Sequence, residues 1–221
     1  RPVIAVTMDL ASYYHRIDPA LMANSKFHDY AGIELTAWEK EFTLAFSDAM
    51  VLWSNSARKK LIAMGCDPEE IKVGGLPIGL SISRIVANIL LVGLDREIEQ
   101  QLRPVYYGRY VDDIFIVLRD PESIDSMPKL LAFMSARSKC FPGEATGKDK
   151  NQIWLQLPDG YQGKTTLLLQ QSKQKIFFLQ GQGGLDLLDS IESQIRSVSS
   201  ERRLMPSPDN LESMAAAKVL T

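Results

Sequence analysis

The chain has 221 residues, 45% hydrophobic and 24% charged, enough to bury a core in one large domain or in one domain with an appendage. A net charge of −2 counts against a surface basic all over, so any nucleic-acid groove rests on local clusters: Arg58-Lys59-Lys60, Lys173 with Lys175, and Arg202-Arg203. No apolar run approaches the roughly 18 residues of a membrane span, and Cys66 and Cys140 form neither a metal spacing nor a disulfide framework, which points to a reducing, cytoplasmic setting with no membrane partner.

The start, Arg1-Pro2-Val3-Ile4-Ala5-Val6, lacks the length and cleavage site of a signal peptide and runs straight into an apolar segment, as in a piece of something longer. Val3 to Met8 reads as a short buried strand that Asp9 ends. Strand interiors disfavour Asp, whereas strand ends facing a crevice are common ligand sites. Leu10 to Tyr14 turns the chain, and His15 to Pro19 closes that turn; His15 and His28 show no ligand spacing and are read as structural. From Thr36 to Met64 the pattern is helical, and Trp38, Phe42, Ala45, Phe46, Ala49, Met50 and Trp53, three and four apart, are expected to face the core. Gly65 stops that helix, and Asp67-Pro68-Glu69-Glu70 opens a short element.

Gly74-Gly75-Leu76-Pro77-Ile78-Gly79 leads into a helix predicted from Ser81 to Arg103, with Ile82, Ile85, Val86, Ile89, Leu90 and Leu94 on its apolar face. Such a loop lets a ligand's phosphate come close to the backbone, but glycine-proline loops before helices are common without any ligand. Next, Val105-Tyr106-Tyr107 and Ile114 to Leu118 read as the strands of a hairpin with Tyr110-Val111-Asp112-Asp113 at its tip. Two adjacent carboxylates raise each other's proton affinity unless a cation holds them, and a hard ion such as Mg²⁺ suits one or two carboxylates. An isolated Asp-Asp at a hairpin tip is ordinarily just a solvated turn.

Beyond it, Asp120-Pro121-Glu122 caps a helix predicted to run through Ser138, and Pro142 to Asp149 is a polar loop. Ile153 to Leu157, Thr165 to Leu169 and Lys175 to Leu179 read as strands, Gly181 to Gly184 as a break, and Leu185 to Arg196 and Pro208 to Leu220 as amphipathic helices.

In order along the chain, a strand ends in Asp9 with Tyr14 five residues on, Gly75-Leu76-Pro77-Ile78-Gly79 precedes Ser83 and Asn88, and Tyr110-Val111-Asp112-Asp113 follows. This succession resembles motifs A, B and C of the reverse transcriptase palm; Lys173 or Lys175 is similar to the motif D lysine, and Phe178-Leu179-Gln180-Gly181 to the primer-grip hairpin. The resemblance implies an α+β palm, an antiparallel sheet with helices packed on one face, over residues 1–181, and a small helical, thumb-like region over 182–221. It also implies that the basic fingers lie upstream of Asp9 and are largely absent here, so that the 221 residues alone are feeble or inactive.

By the same resemblance, Asp9, Asp112 and Asp113, with the Leu10 carbonyl, would hold two Mg²⁺ ions, Mn²⁺ being able to substitute. Ser12, Tyr13, Tyr14, Ile78, Gly79 and Lys173 would surround a dNTP, with the amides near Ser12 and Tyr13 facing its triphosphate. Tyr110, Leu179, Gln180 and Gly181 would meet the RNA template and the DNA primer or product. An aromatic at Tyr14, where RNA-directed RNA polymerases typically carry Asp, implies exclusion of the 2′-hydroxyl and hence DNA synthesis. Ile78 departs from the Gln common after the motif B proline; with Tyr13-Tyr14 it is closer to bacterial antiphage-defence and abortive-infection reverse transcriptases. Three readings follow: RNA-directed DNA synthesis, template-independent DNA synthesis, and a palm-like module binding nucleic acid or a partner protein without catalysis. Oligomeric state is not readable at this level.

Overall fold

A computed structural model of the chain describes residues 3–68, 71–119, 124–142, 153–169 and 174–179. In chain order come β1 (Val3–Asp9), α1 (Tyr13–Arg16), a 3₁₀ turn (Pro19–Ala23), α2 (Ser25–Ala31), α3 (Ala37–Ala63), α4 (Ser81–Leu90) and α5 (Val92–Glu97). A π-turn (Ile98–Leu102), β2 (Tyr106–Tyr110), β3 (Asp113–Arg119), α6 (Met127–Ser135), β4 (Ile153–Leu155), β5 (Leu167–Leu169) and β6 (Lys175–Leu179) follow. The chain is a mixed α+β protein built on an antiparallel sheet of order β2-β3-β1-β6, with β4 and β5 forming a smaller pair. The helical region expected over 182–221 lies outside the described residues.

Strand alternation sorts the main sheet into two faces. Ile4, Val6 and Met8 of β1 and Ile114, Ile116 and Leu118 of β3 point into one core with Val86, Leu90 and Leu94 of α4 and α5. The opposite face carries Asp9, Asp113, Tyr106, Phe115 and Lys175. Phe115 is fully buried there, its ring 5.7 Å from that of Tyr106. This is why Ile114 to Leu118 reads as a continuous apolar run rather than an alternating one: both its faces are covered.

α3 starts where the sequence places it, because Thr36 and Glu39 form a capping box: the Glu39 carboxylate accepts from the Thr36 amide at 2.8 Å, and the Thr36 hydroxyl oxygen accepts from the Glu39 amide. Its orientation differs from the expectation. Ser47 and Ser54 are the residues it buries, while Trp38, Phe42 and Trp53 are largely exposed and only Phe46 and Met50 pack partly against the core. The three-and-four spacing identified a helical face correctly and its burial wrongly. Small residues won the inner face because backbones approach closely there: Gly74 donates its N–H to the Ser54 hydroxyl at 3.0 Å, and a Cβ on Gly74 would lie 1.9 Å from the Ser54 carbonyl oxygen.

The predicted Ser81–Arg103 helix is interrupted after Leu90, and Ile85 on its expected apolar face is exposed. Tyr161 explains the break. Its buried hydroxyl donates to the Leu90 carbonyl and accepts from the Gly93 N–H at 3.1 Å, replacing rungs of the helical ladder. A Cβ at Gly93 would come within 2.6 Å of that hydroxyl. The later elements are shorter than predicted, α6 ending at Ser135 and β4 and β5 having three residues each, whereas β6 keeps its predicted bounds. Among the described residues no helix is long and apolar enough to cross a membrane.

Candidate metal and nucleotide site

The register of β1 on β3 sets Asp9 directly opposite Asp113, and that of β2 on β3 sets Tyr110 opposite Asp113 on its other side. Directly opposed residues have Cβ atoms about 4.5–5.5 Å apart, and like charges so placed repel. Asp112 sits in the turn before β3, and the Leu10 N–H donates to its carbonyl at 3.2 Å, tying the segment after Asp9 to the hairpin tip. Asp9 and the adjacent pair Asp112 and Asp113, far apart in sequence, thus share one end of the sheet. Lys175 pairs with Thr7, two residues from Asp9 on the same face, a diagonal separation of about 7–8 Å.

The turn after β1 is fastened on both sides. The Ala11 N–H donates to the Leu168 carbonyl at 2.7 Å, and the Leu76 N–H to the Tyr14 carbonyl at 2.8 Å. Gly75, at φ +78°, crosses so close that a Cβ would fall 2.3 Å from His15 Cα. Gly74 and Gly75 therefore serve chain packing, whereas Gly79, at φ +95°, and Ile78 are exposed, with nothing near the position of a Gly79 Cβ. Tyr13 is buried, and its hydroxyl donates to the Ala87 carbonyl at 2.6 Å, so its ring anchors the turn to α4. Tyr14 stays half-buried. Burial, then the nearby Asp112 carboxylate, pushes its hydroxyl pKa up, with Arg84 opposing. Ser12, exposed and at φ +52°, borders a cavity of about 220 Å³ whose wall includes His15, Arg16 and Lys72.

A buried network missed in the sequence holds the hairpin. Arg109 donates twice to Asp95, at 2.7 Å from both Nε and Nη2, and Nη1 donates to the Asn88 side-chain oxygen at 3.0 Å and to the Val111 carbonyl at 2.8 Å. The Tyr107 hydroxyl also donates to Asp95. Val111, buried and β-branched, sits at φ +58°, a conformation that costs on the order of 1–3 kcal/mol and persists only where its surroundings impose it. The Arg109 guanidinium supplies that constraint one residue before Asp112. A visible signal existed: Arg109 lies two residues from Tyr107, on the helix-facing side of β2, and Asp95 interrupts an apolar helix.

Leu179 pairs with Val3, at the far end of β1 from Asp9, about 20 Å away at the rise of a strand. Lys173, Gln180 and Gly181 lie outside the described residues. Among the described residues no group of three or more acidic, histidine or cysteine side chains converges closely enough to hold a metal. The carboxylates that the register brings to this end of the sheet, Asp9 and Asp113 with Asp112 in the adjoining turn, are hard oxygen donors, the class that Mg²⁺ or Mn²⁺ takes rather than a thiolate- or imidazole-seeking ion.

Ionisation in this region points one way. Burial raises the pKa of Tyr13, Tyr107 and Tyr161, and pushes the Cys140 thiol up to about 11. Groups whose folded-state pKa is raised keep their protons when the unfolded chain has lost them. Their contribution is complete below the unfolded values, about 8.5 for Cys and 10 for Tyr, and is lost as pH rises further. The urea midpoint is expected to hold from pH 7 to about 8.5 and to fall steadily above it; an unchanged midpoint at pH 10.5 would contradict the burial of these hydroxyls.

No family model matches the chain, and no curated protein aligns with it significantly.

Proposed function

We propose that the chain is the palm of a bacterial RNA-directed DNA polymerase that adds dNTPs to a primer 3′-hydroxyl, working in antiphage defence in the cytoplasm. The observation that carries this reading is the pairing of Asp9 with Asp113 across β1 and β3, with Asp112 in the adjoining turn and Tyr14 beside it. Two bound Mg²⁺ ions would supply activation of the 3′-hydroxyl and neutralisation of the triphosphate, held by Asp9, Asp112 and Asp113 with the Leu10 carbonyl. The chain's own residues do the positioning on which such transfer depends. Tyr14 lies under the sugar and its ring excludes a 2′-hydroxyl. The backbone near Ser12 receives the triphosphate, beside a cavity wall bearing Arg16 and Lys72. Lys175, on the acid face, places a cation where negative charge builds on the departing pyrophosphate.

A second reading, untemplated DNA synthesis, is favoured by one feature. Ile78 is 68% exposed and offers a template base no hydrogen bond. Both readings are tested by supplying the protein, in its full natural length, with dNTPs and Mg²⁺ and with or without an RNA template, then sequencing the product. Product complementary to the RNA is expected. Product of unrelated sequence selects the second reading, and absence of any product in Mg²⁺ and Mn²⁺ rejects both.

A further inference from the structure

α3 presents an apolar ridge to solvent. Trp38 is 70% exposed, Phe42 59%, Leu52 70% and Trp53 40%, with Ala45, Ala49 and Ser56 exposed between and beyond them. Steps of four and three residues align Trp38, Phe42, Ala45, Ala49, Leu52 and Ser56 along one side, opposite the buried Ser47 and Ser54. From Trp38 to Trp53 the ridge is about 22 Å long. Its N-terminal part is continuous: the rings of Trp38 and Phe42 stack at 5.6 Å and those of Phe42 and Phe46 at 6.3 Å. Single exposed apolar residues need no explanation, but a contiguous charge-rimmed row marks a contact surface. Alternating steps of three and four are the spacing with which one helix seats another.

The charges beside the ridge are segregated. Exposed Glu39 and Glu41 lie at the N-terminal end, and exposed Lys59 and Lys60 at the C-terminal end. We infer that α3 is the seam of a two-fold dimer of this chain, with the two copies of the helix antiparallel and crossing near residue 50. A two-fold axis perpendicular to the helices sets each flank against the same flank of the other copy with direction reversed. Glu41 then meets Lys59, and Glu39 comes beside Lys60, each pair occurring twice. The same register sets large rings beside small side chains: Trp38 near Ala63, Phe42 near Ser56, and Trp53 near Ala45. A parallel two-fold would instead stack Trp38 on Trp38 and Glu41 near Glu41. Rim ion pairs add little energy and mainly choose orientation, so the aromatic ridge supplies the association. This inference is independent of the polymerase reading.

Sedimentation velocity from about 1 to 100 µM, a range that brackets micromolar association, is expected to show monomer converting to dimer. Trp38→Glu with Phe42→Glu is expected to leave a monomer throughout, with an unchanged far-ultraviolet circular dichroism spectrum. Lys59→Glu with Lys60→Glu should weaken the dimer about tenfold or more, and adding Glu39→Lys and Glu41→Lys should restore it. In a Cys66→Ser background, Ala49→Cys should form a disulfide-linked dimer on oxidation and Trp38→Cys should not. A wild-type monomer at every concentration overturns the inference, as does a dimer indifferent to the Trp38 and Phe42 changes. Cross-linking through Trp38→Cys in place of Ala49→Cys overturns the antiparallel arrangement.

Discussion

A protein carrying Asp112→Asn and Asp113→Asn together is expected to lose Mg²⁺-dependent dNTP incorporation by about three orders of magnitude or more. The loss follows from the proposed role, in which these carboxylates hold the ions that neutralise the triphosphate, and uncharged amides hold a divalent ion far more weakly. Register adds a second outcome. Asp9 and Asp113 are directly opposed with like charge, so Asp113→Asn should stabilise the metal-free protein by about 0.2–1 kcal/mol. The same change should also remove any rise in melting temperature caused by millimolar Mg²⁺, because an ion that binds only the folded state stabilises it by mass action. Incorporation assays and thermal melts with and without Mg²⁺ check both. Retained incorporation in the double variant would sink the metal assignment, and a Mg²⁺ response surviving Asp113→Asn would place the ion elsewhere.

The largest effect on folding is expected at Arg109. Its side chain is 9% exposed and that of Asp95 23%, so Arg109→Met leaves a mostly buried carboxylate without its bidentate partner and the Val111 carbonyl without its donor. Breaking a buried pair from one side costs about 3–5 kcal/mol, and the partial exposure of Asp95 argues for the lower end. For a chain of this size, about 3 kcal/mol lowers the melting temperature by roughly 6–12 °C. Arg109→Lys keeps the charge but cannot reach Asp95, Asn88 and Val111 from one planar fork, so it should fall between. Asp95→Leu in the Arg109→Met background should recover part of the loss, because no unpaired charge then remains buried. Denaturant titration of the four proteins checks this order; equal stability of Arg109→Met and wild type would show that the hairpin does not depend on the guanidinium.

The elements legible in the sequence were those with local signals. β1 announced itself by an apolar run ended by a carboxylate, β3 by one preceded by a pair of them, and α3 by its capping box at Thr36 and Glu39. The two glycines before Leu76 were visible as a special backbone, though their purpose was not: they let the loop cross α3 and the Tyr14 turn, and that contact exists only between distant segments. The long helix after Ser81 was misjudged for the same reason. Its apolar pattern continues through residue 94, and what interrupts it is a tyrosine hydroxyl arriving from residue 161.

By itself the sequence determined which residues are the candidates for chemistry. An aspartate ending an apolar strand, a glycine-rich loop before a helix, and two aspartates at a hairpin tip are local patterns, because strand ends and tight turns are short-range events. Only the tertiary structure decided that the strand-end and hairpin-tip aspartates share one end of the sheet. The antiparallel pairing of β1 and β3 sets Asp9 opposite Asp113, and a one-residue slip would turn one of the two toward the helices. Only the tertiary structure, too, turned the aromatics of α3 outward. Periodicity shows that a helix has a side, but which side is buried depends on how closely neighbouring backbones approach, and here they come too close for anything larger than serine.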